Sequence, residues 1–172
     1  MQSPKAVYID TMVFIYHFLR SSKGRLTHKA ASFLRDVEKG KYVGIVTSFT
    51  VAEYLAVIRG LLCQKRNKQV SPSEISTIKL RLEQFINQMG IVLYDADVLA
   101  GGHAVFAESE SMIERDTPSK GKYDRRWHYL NGADALHVAF AASVNAEAIA
   151  TFDDDFRGIC GSVVPLMLSE VY

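Results

Sequence analysis

The sequence predicts an α/β domain, a five-stranded parallel sheet with helices on both faces. Three observations carry that prediction. Five short apolar runs rich in Val, Ile and Tyr are bounded by turn or cap residues and read as strands. Segments of helical spacing alternate with them, and strands separated by helices pair in parallel through right-handed crossovers. At 172 residues, 48% hydrophobic and 23% charged, the chain is long enough to bury a sizeable core as one domain without disulfide staples.

The elements follow in order. "AVYID" (6–10) is apolar without alternation, as a strand buried on both faces should be. A helix is expected from Met12 to Arg20, then a polar turn, "SSKGR". "THKAASFLRDVEKG" (27–40) reads as a helix with Thr27 as N-cap, Ala30, Phe33, Leu34 and Val37 facing the core, and Gly40 as the stop. "YVGIVTS" (42–48) reads as a strand and "FTVAEYLAVIRGLLC" (49–63) as a helix. In "SPSE" (71–74), Ser71 caps, Pro72 takes the first helical position and Glu74 the third. Ile75, Ile78, Leu82, Phe85, Ile86 and Met89 then hold helical spacing up to Gly90. "IVLYD" (91–95) is the third strand, followed by a helix over 98–114. The Ala-rich "NGADALHVAFAASVNAE" (131–147) is a helix, "AIATF" (148–152) the fourth strand and "SVVPLML" (162–168) a short fifth.

A net charge of +1 gives no global basic field, so attraction for phosphate has to come from local patches. Cys63 and Cys160 lie in apolar segments without metal-ligand spacing, which fits two buried reduced thiols in an intracellular protein. The first apolar run is interrupted by Asp10 and His17, is followed by no small-residue cleavage site, and is shorter than the about 20 residues needed to span a bilayer. A cytoplasmic protein with no membrane segment is expected.

The acids are the informative residues. Asp10 ends the first strand, and Asp153 follows the fourth in "IATFDDDF". Glu53 lies one turn into the helix after the second strand. Asp134 lies near the start of the helix that precedes the fourth strand. Ligands of open parallel sheets bind beyond the carboxyl ends of the strands, and all four acids can converge there. Each has a local alternative. Glu53 completes a capping box with Thr50, Asp134 suits the helix dipole after an Asn131 cap, and Asp153–Asp155 read as a solvated turn. Asp10 fits such a reading least, because a central strand offers no cheap solvation. Together the four would repel strongly, and hard oxygen donors of this kind suit a partly hydrated Mg2+ or Mn2+. No Cys/His cluster offers a zinc site, and no Gly-rich loop offers a phosphate cradle.

"VYIDTMVFIYHF", "TSFTVAEYLAV", "NGADALHVAFA" and "IATFDDDF" resemble, in order, the four motif blocks of PIN-domain nucleases, with the VapC-like toxins the nearest match. The resemblance runs through nearly the whole chain and implies a single PIN-like domain over 1–172. It implies a catalytic tetrad of Asp10, Glu53, Asp134 and Asp153, with Thr11 as the hydroxyl residue that often follows the first acid. Asp10, Asp134 and Asp153 would ligate the metal. Glu53 would bind it through water or orient the nucleophile. The chain is longer than a minimal VapC-like toxin, and the triple Asp leaves Asp153 and Asp154 as alternatives; Asp153 is preferred because it directly follows "TF".

"RDTPSKGKYDRRWHYL" (115–130) interleaves Lys120, Lys122, Arg125 and Arg126 with Tyr123, Trp127 and Tyr129. Cations for phosphates and rings for unstacked bases suit single-stranded RNA; a solvated loop with Trp127 in the core is the equal alternative. "QKRNK" (64–68) reads as a solvated helix end, and His137 as a helix residue packing near the acids. The resulting expectation is a metal-dependent endoribonuclease, the toxin of a toxin–antitoxin pair, whose homodimer would use the apolar faces of 49–63 and 75–89. A housekeeping RNA-processing nuclease and an inactive scaffold binding RNA or protein are the alternatives.

Overall fold

The computed structural model describes residues 3–19, 24–95, 117–118, 127–128, 130, 132–157, 159 and 162–172. Its strands are Lys5–Ile9 (β1), Tyr42–Thr47 (β2), Val92–Tyr94 (β3), Thr117–Pro118 (β4), Trp127–His128 (β5), Ala148–Thr151 (β6) and Val164–Met167 (β7). Its helices are Thr11–Phe18 (α1), Gly24–Glu38 (α2), Ser48–Arg66 (α3), Pro72–Gln88 (α4), Gly132–Ser143 (α5) and Leu168–Val171 (α6). Five strands form the expected parallel sheet in the order β3-β2-β1-β6-β7. The chain winds outward from β1 in one direction and from β6 in the other. The carboxyl ends of β1 and β6 therefore flank the point where the strand order reverses, the place such sheets present to ligands.

β1 is central, and its side chains divide the core. Val7 and Ile9 enter the cluster shared with α1, α2, α3 and α4, including Phe14, Phe33, Leu34, Tyr54 and Ile86. Tyr8 points to the opposite face, with Ile149 of β6 and Ala135, Val138 and Ala141 of α5. The period of two in a strand produces this alternation. Helix ends follow local chemistry. Ser71 accepts from the Glu74 N–H while the Glu74 carboxylate accepts from the Ser71 N–H, the capping box that the sequence announces. Gly40 and Gly90 take φ of +73° and +66°, so the N–H groups of Lys41 and Ile91 after them reach back to the Asp36 and Ile86 carbonyls and close α2 and α4.

Several local expectations need correction. α2 begins at Gly24, so Thr27 lies within the helix rather than capping it, and its buried hydroxyl finds no hydrogen-bond partner among the described residues. α3 begins at Ser48 after Thr47, so Thr50 is also interior and forms no capping box with Glu53. Once a helix can start one turn earlier, a Thr inside it no longer has an N-cap's extended backbone to work with. α1 runs from Thr11 to Phe18 rather than to Arg20, and α3 continues to Arg66, ending at a left-handed Asn67. Arg66 pairs with Glu74 at 2.5 Å on an exposed surface, which bears out the solvated helix end. Cys63 is partly exposed rather than buried.

Within 115–130, β4 and β5 pair antiparallel, Thr117 opposite His128 and Pro118 opposite Trp127. Lys120, Lys122, Arg125 and Arg126, the expected helix over 98–114 and Cys160 lie outside the described residues. No helix among the described residues is long and apolar enough to cross a membrane. On α3 and α4, Tyr54, Ile58, Leu82 and Ile86 are buried in the chain's own core, while Leu61 and Leu80 remain exposed.

Candidate metal centre

β1 ends at Ile9, and the Asp10 N–H still bonds the Ala150 carbonyl of β6 at 3.1 Å. The chain then turns at once into α1, with Asp10 as its N-cap accepting from the Met12 N–H. The strand thus places the carboxylate at the sheet edge while the helix start holds it. Asp10 is only 4% exposed. Burial raises its pKa; His137, the Thr151 hydroxyl at 2.6 Å and the Met12 N–H oppose that rise, and the net direction is upward.

Glu53 lies in the second turn of α3. Its Oε2 accepts from the Thr11 hydroxyl in a short hydrogen bond and from His137 Nε2 at 2.7 Å. Burial pushes its pKa up, but His137 and Thr11 outweigh that and hold Glu53 below the ordinary value. Glu53 is therefore ionised at neutral pH. The capping-box alternative for this residue is replaced by a tie between three helices, α1, α3 and α5.

His137 is 1% exposed, one turn beyond Asp134 on α5. Its Nδ1 lies 3.2 Å from the Tyr8 hydroxyl, which lies 2.9 Å from both Thr47 and Thr50 hydroxyls. Because Glu53 is ionised, Nε2–H donates to it, while Nδ1, the Tyr8 hydroxyl and the two threonine hydroxyls form one chain of buried hydrogen bonds. Burial pushes the Tyr8 pKa well above the ordinary tyrosine value, so the phenol keeps its proton.

Asp134 occupies the first turn of α5, as its dipole reading requires, and also faces the other acids. Its pKa is pushed up to about 7, first by burial and then by the charges of Asp153 and Asp10. Asp153 follows β6 and caps a 3-10 turn, Asp154–Phe156, by accepting from the Asp155 N–H at 2.9 Å. Asp154 is exposed and pairs with Arg157 at 2.7 Å.

The donors form two groups. One ligand atom each from Asp10, Glu53 and His137 lie within 4.8 Å of one another, and the same holds for Asp134, Asp153 and Asp155. Thr151 links the groups, since its hydroxyl receives the Asp153 N–H at 3.0 Å and donates to Asp10. All four acids singled out in the sequence enter these groups. Asp154 does not, and Asp155, which the sequence reading did not count among the ligands, joins the second group. His137 packs near the acids as expected, but through hydrogen bonds. Its one available signal was the three-residue spacing from Asp134, which puts both on one helix face. Met12, Tyr16, Phe152, Asp153 and Asp154 line an open groove beside the second group.

Against known families, residues 7–161 match the PIN domain. Among solved structures, a chain in the crystal structure of VapBC2 from Rickettsia felis, bound to a DNA fragment from their promoter, superimposes with a TM-score of 0.59. The likeness covers 94% of this chain and 97% of that one at 16% identity, which speaks for a shared fold. No curated protein matches the sequence.

Proposed function

The chain belongs to the PIN domain family, and from that membership we propose that it is a Mg2+- or Mn2+-dependent endoribonuclease, the toxin of a toxin–antitoxin pair. The observation that carries the reading is the pair of carboxylate-rich groups where the strand order reverses. Buried Asp10 and the upward shift of Asp134 mark a site with more negative charge than its own donors balance. The donor set is dominated by carboxylate oxygen, which fits a hard divalent ion. Asp10, Asp134 and Asp153 would hold that ion, with Asp155 at the exposed margin. When bound, such an ion polarises a phosphoryl oxygen and makes a bound water more acidic.

The chain's own groups do the rest. Glu53, kept ionised by His137 and Thr11, orients the attacking water and accepts its proton. Thr151 keeps the Asp10 carboxylate turned toward β6. The groove beside Phe152 and Tyr16 gives an unstacked base apolar and aromatic surface next to the acids. Lys120, Lys122, Arg125, Arg126 and Trp127 would guide a single-stranded RNA into it. The likeness to a chain of VapBC2 supports a protein partner, an antitoxin. A homodimer through α3 and α4 and a cytoplasmic setting complete the reading, with 1–172 as one domain.

Purified protein incubated with pooled cellular RNA should cut at mappable positions in Mg2+ or Mn2+ and stop cutting in a chelator. Absence of metal-dependent cuts would end the nuclease reading. Cutting confined to precursor ends, with no partner protein co-purifying, would favour RNA processing over a toxin.

A further inference from the structure

We propose that His137 is a positioning residue that fixes the Glu53 carboxylate in one rotamer for the reaction. The inference rests on the nuclease reading and assigns within it a role to a side chain outside the four acids. Both ring nitrogens of His137 are engaged. Nε2 meets Glu53 at 2.7 Å and Nδ1 meets Tyr8 at 3.2 Å. The ring lies edge-on to Phe49 at 4.9 Å and to Tyr8 at 5.7 Å between centroids. Tyr8 in turn is held by Thr47 and Thr50 on the other side of its hydroxyl. The imidazole therefore cannot swing without breaking a buried network, where each unsatisfied group is costly.

Glu53 needs such a restraint. Its long side chain would otherwise sample several rotamers, and that freedom has to be given up for it to act in one position. Both the His137 and Thr11 donors reach the same oxygen, Oε2. Among the described residues no hydrogen bond reaches Oε1, which leaves that oxygen for a water. A core position on an Ala-rich helix needs no imidazole for packing. A leucine would fill it without burying two polar nitrogens. The geometry is that of a clamp, set in β1, β2 and α3 and applied through α5.

Two substitutions separate clamp from filler. His137→Gln keeps an amide donor at about the Nε2 position. His137→Asn places its amide near the Nδ1 position and cannot reach Glu53. With metal-loaded protein and a single-stranded RNA, His137→Asn should lower kcat by roughly tenfold to a hundredfold with little change in KM, as small misplacements of reacting groups do. His137→Gln should recover most of that loss. In a Glu53→Gln background, His137→Asn should cost nothing further. By NMR, the ring Nε2 proton should exchange slowly and shift in Glu53→Gln. A parent that makes no metal-dependent cuts ends the nuclease reading and the positioning role with it. A parent that cuts while the Asn and Gln variants lose kcat equally overturns the positioning role alone, as does a His137→Asn loss that persists undiminished without Glu53.

Discussion

The two acid groups at the sheet edge solve the same electrostatic problem in different ways. Asp10 and Glu53 are surrounded by donors: Thr151 and the Met12 N–H on one, Thr11 and His137 on the other. Asp134, Asp153 and Asp155 press their charges on one another, and burial together with those charges pushes the Asp134 pKa up to about 7. In the first group Glu53 is balanced from within the fold, while burial still raises Asp10. The second is left with excess negative charge beside open solvent. Such a contrast, with one side fixed and the other electrostatically hungry, is what a site needs if a cation is to bind from solution and still be held in a defined place.

The largest effect expected from disturbing this contrast is at Asp10, the buried acid that Thr151 ties to Asp153 of the second group. Asp10→Asn retains an N-cap residue as good as the original and can still accept from Met12, so the metal-free protein should melt at or above the parent temperature. Cleavage of single-stranded RNA in Mg2+ should fall about a thousandfold, the scale of several kcal/mol of lost stabilisation. Melting curves and single-turnover rates together check both halves. A loss of fold with activity spared would make Asp10 a structural anchor.

Tyr8→Phe attacks only the balanced side. It leaves Thr47, Thr50 and His137 Nδ1 without their shared hydroxyl in a buried site, at a cost of about 1–3 kcal/mol in denaturant unfolding. Metal affinity should change little. A neutral effect on stability would mean that the network is not carrying the ring.

Asp134→Asn addresses the hungry side, and its effect depends on pH. In the metal-free fold Asp134 holds its proton up to about pH 7, whereas in the unfolded chain it releases it near 3.8. Between those values the native state binds more protons, so Asp134 lowers stability progressively as pH rises. The Asn variant should therefore gain stability over the parent from pH 4 toward pH 7, and Mg2+ should erase the gain by stabilising the parent alone. A pH-independent difference in melting temperature would contradict the assignment.

Much of this was legible in the residues. The uniform apolar character of Val7, Tyr8 and Ile9 announced a central strand, and Ser71, Pro72 and Glu74 announced α4, because both signals are local. The sequence positions of Asp10 and Asp153 also implied one sheet edge, since strand ends in a parallel sheet share it. The rest depended on contacts that no local pattern encodes. "TVAE" has a capping-box spelling, yet the N-cap of α3 is Thr47, three residues before Thr50, and Glu53 answers to His137, 84 positions away. Thr27 misled for the same reason. Asp155 looked like turn punctuation until the 3-10 turn brought it back beside Asp134.

The most direct test of the central claim is Mn2+ binding, followed through the loss of the free-ion EPR signal in the parent, Asp134→Asn and Asp154→Ala. Asp154 pairs with Arg157 outside both groups, and its removal should alter stability by no more than about 0.5 kcal/mol. The parent and Asp154→Ala should take up Mn2+ alike while Asp134→Asn binds far more weakly. Equal uptake by all three, or none by the parent, would contradict that claim.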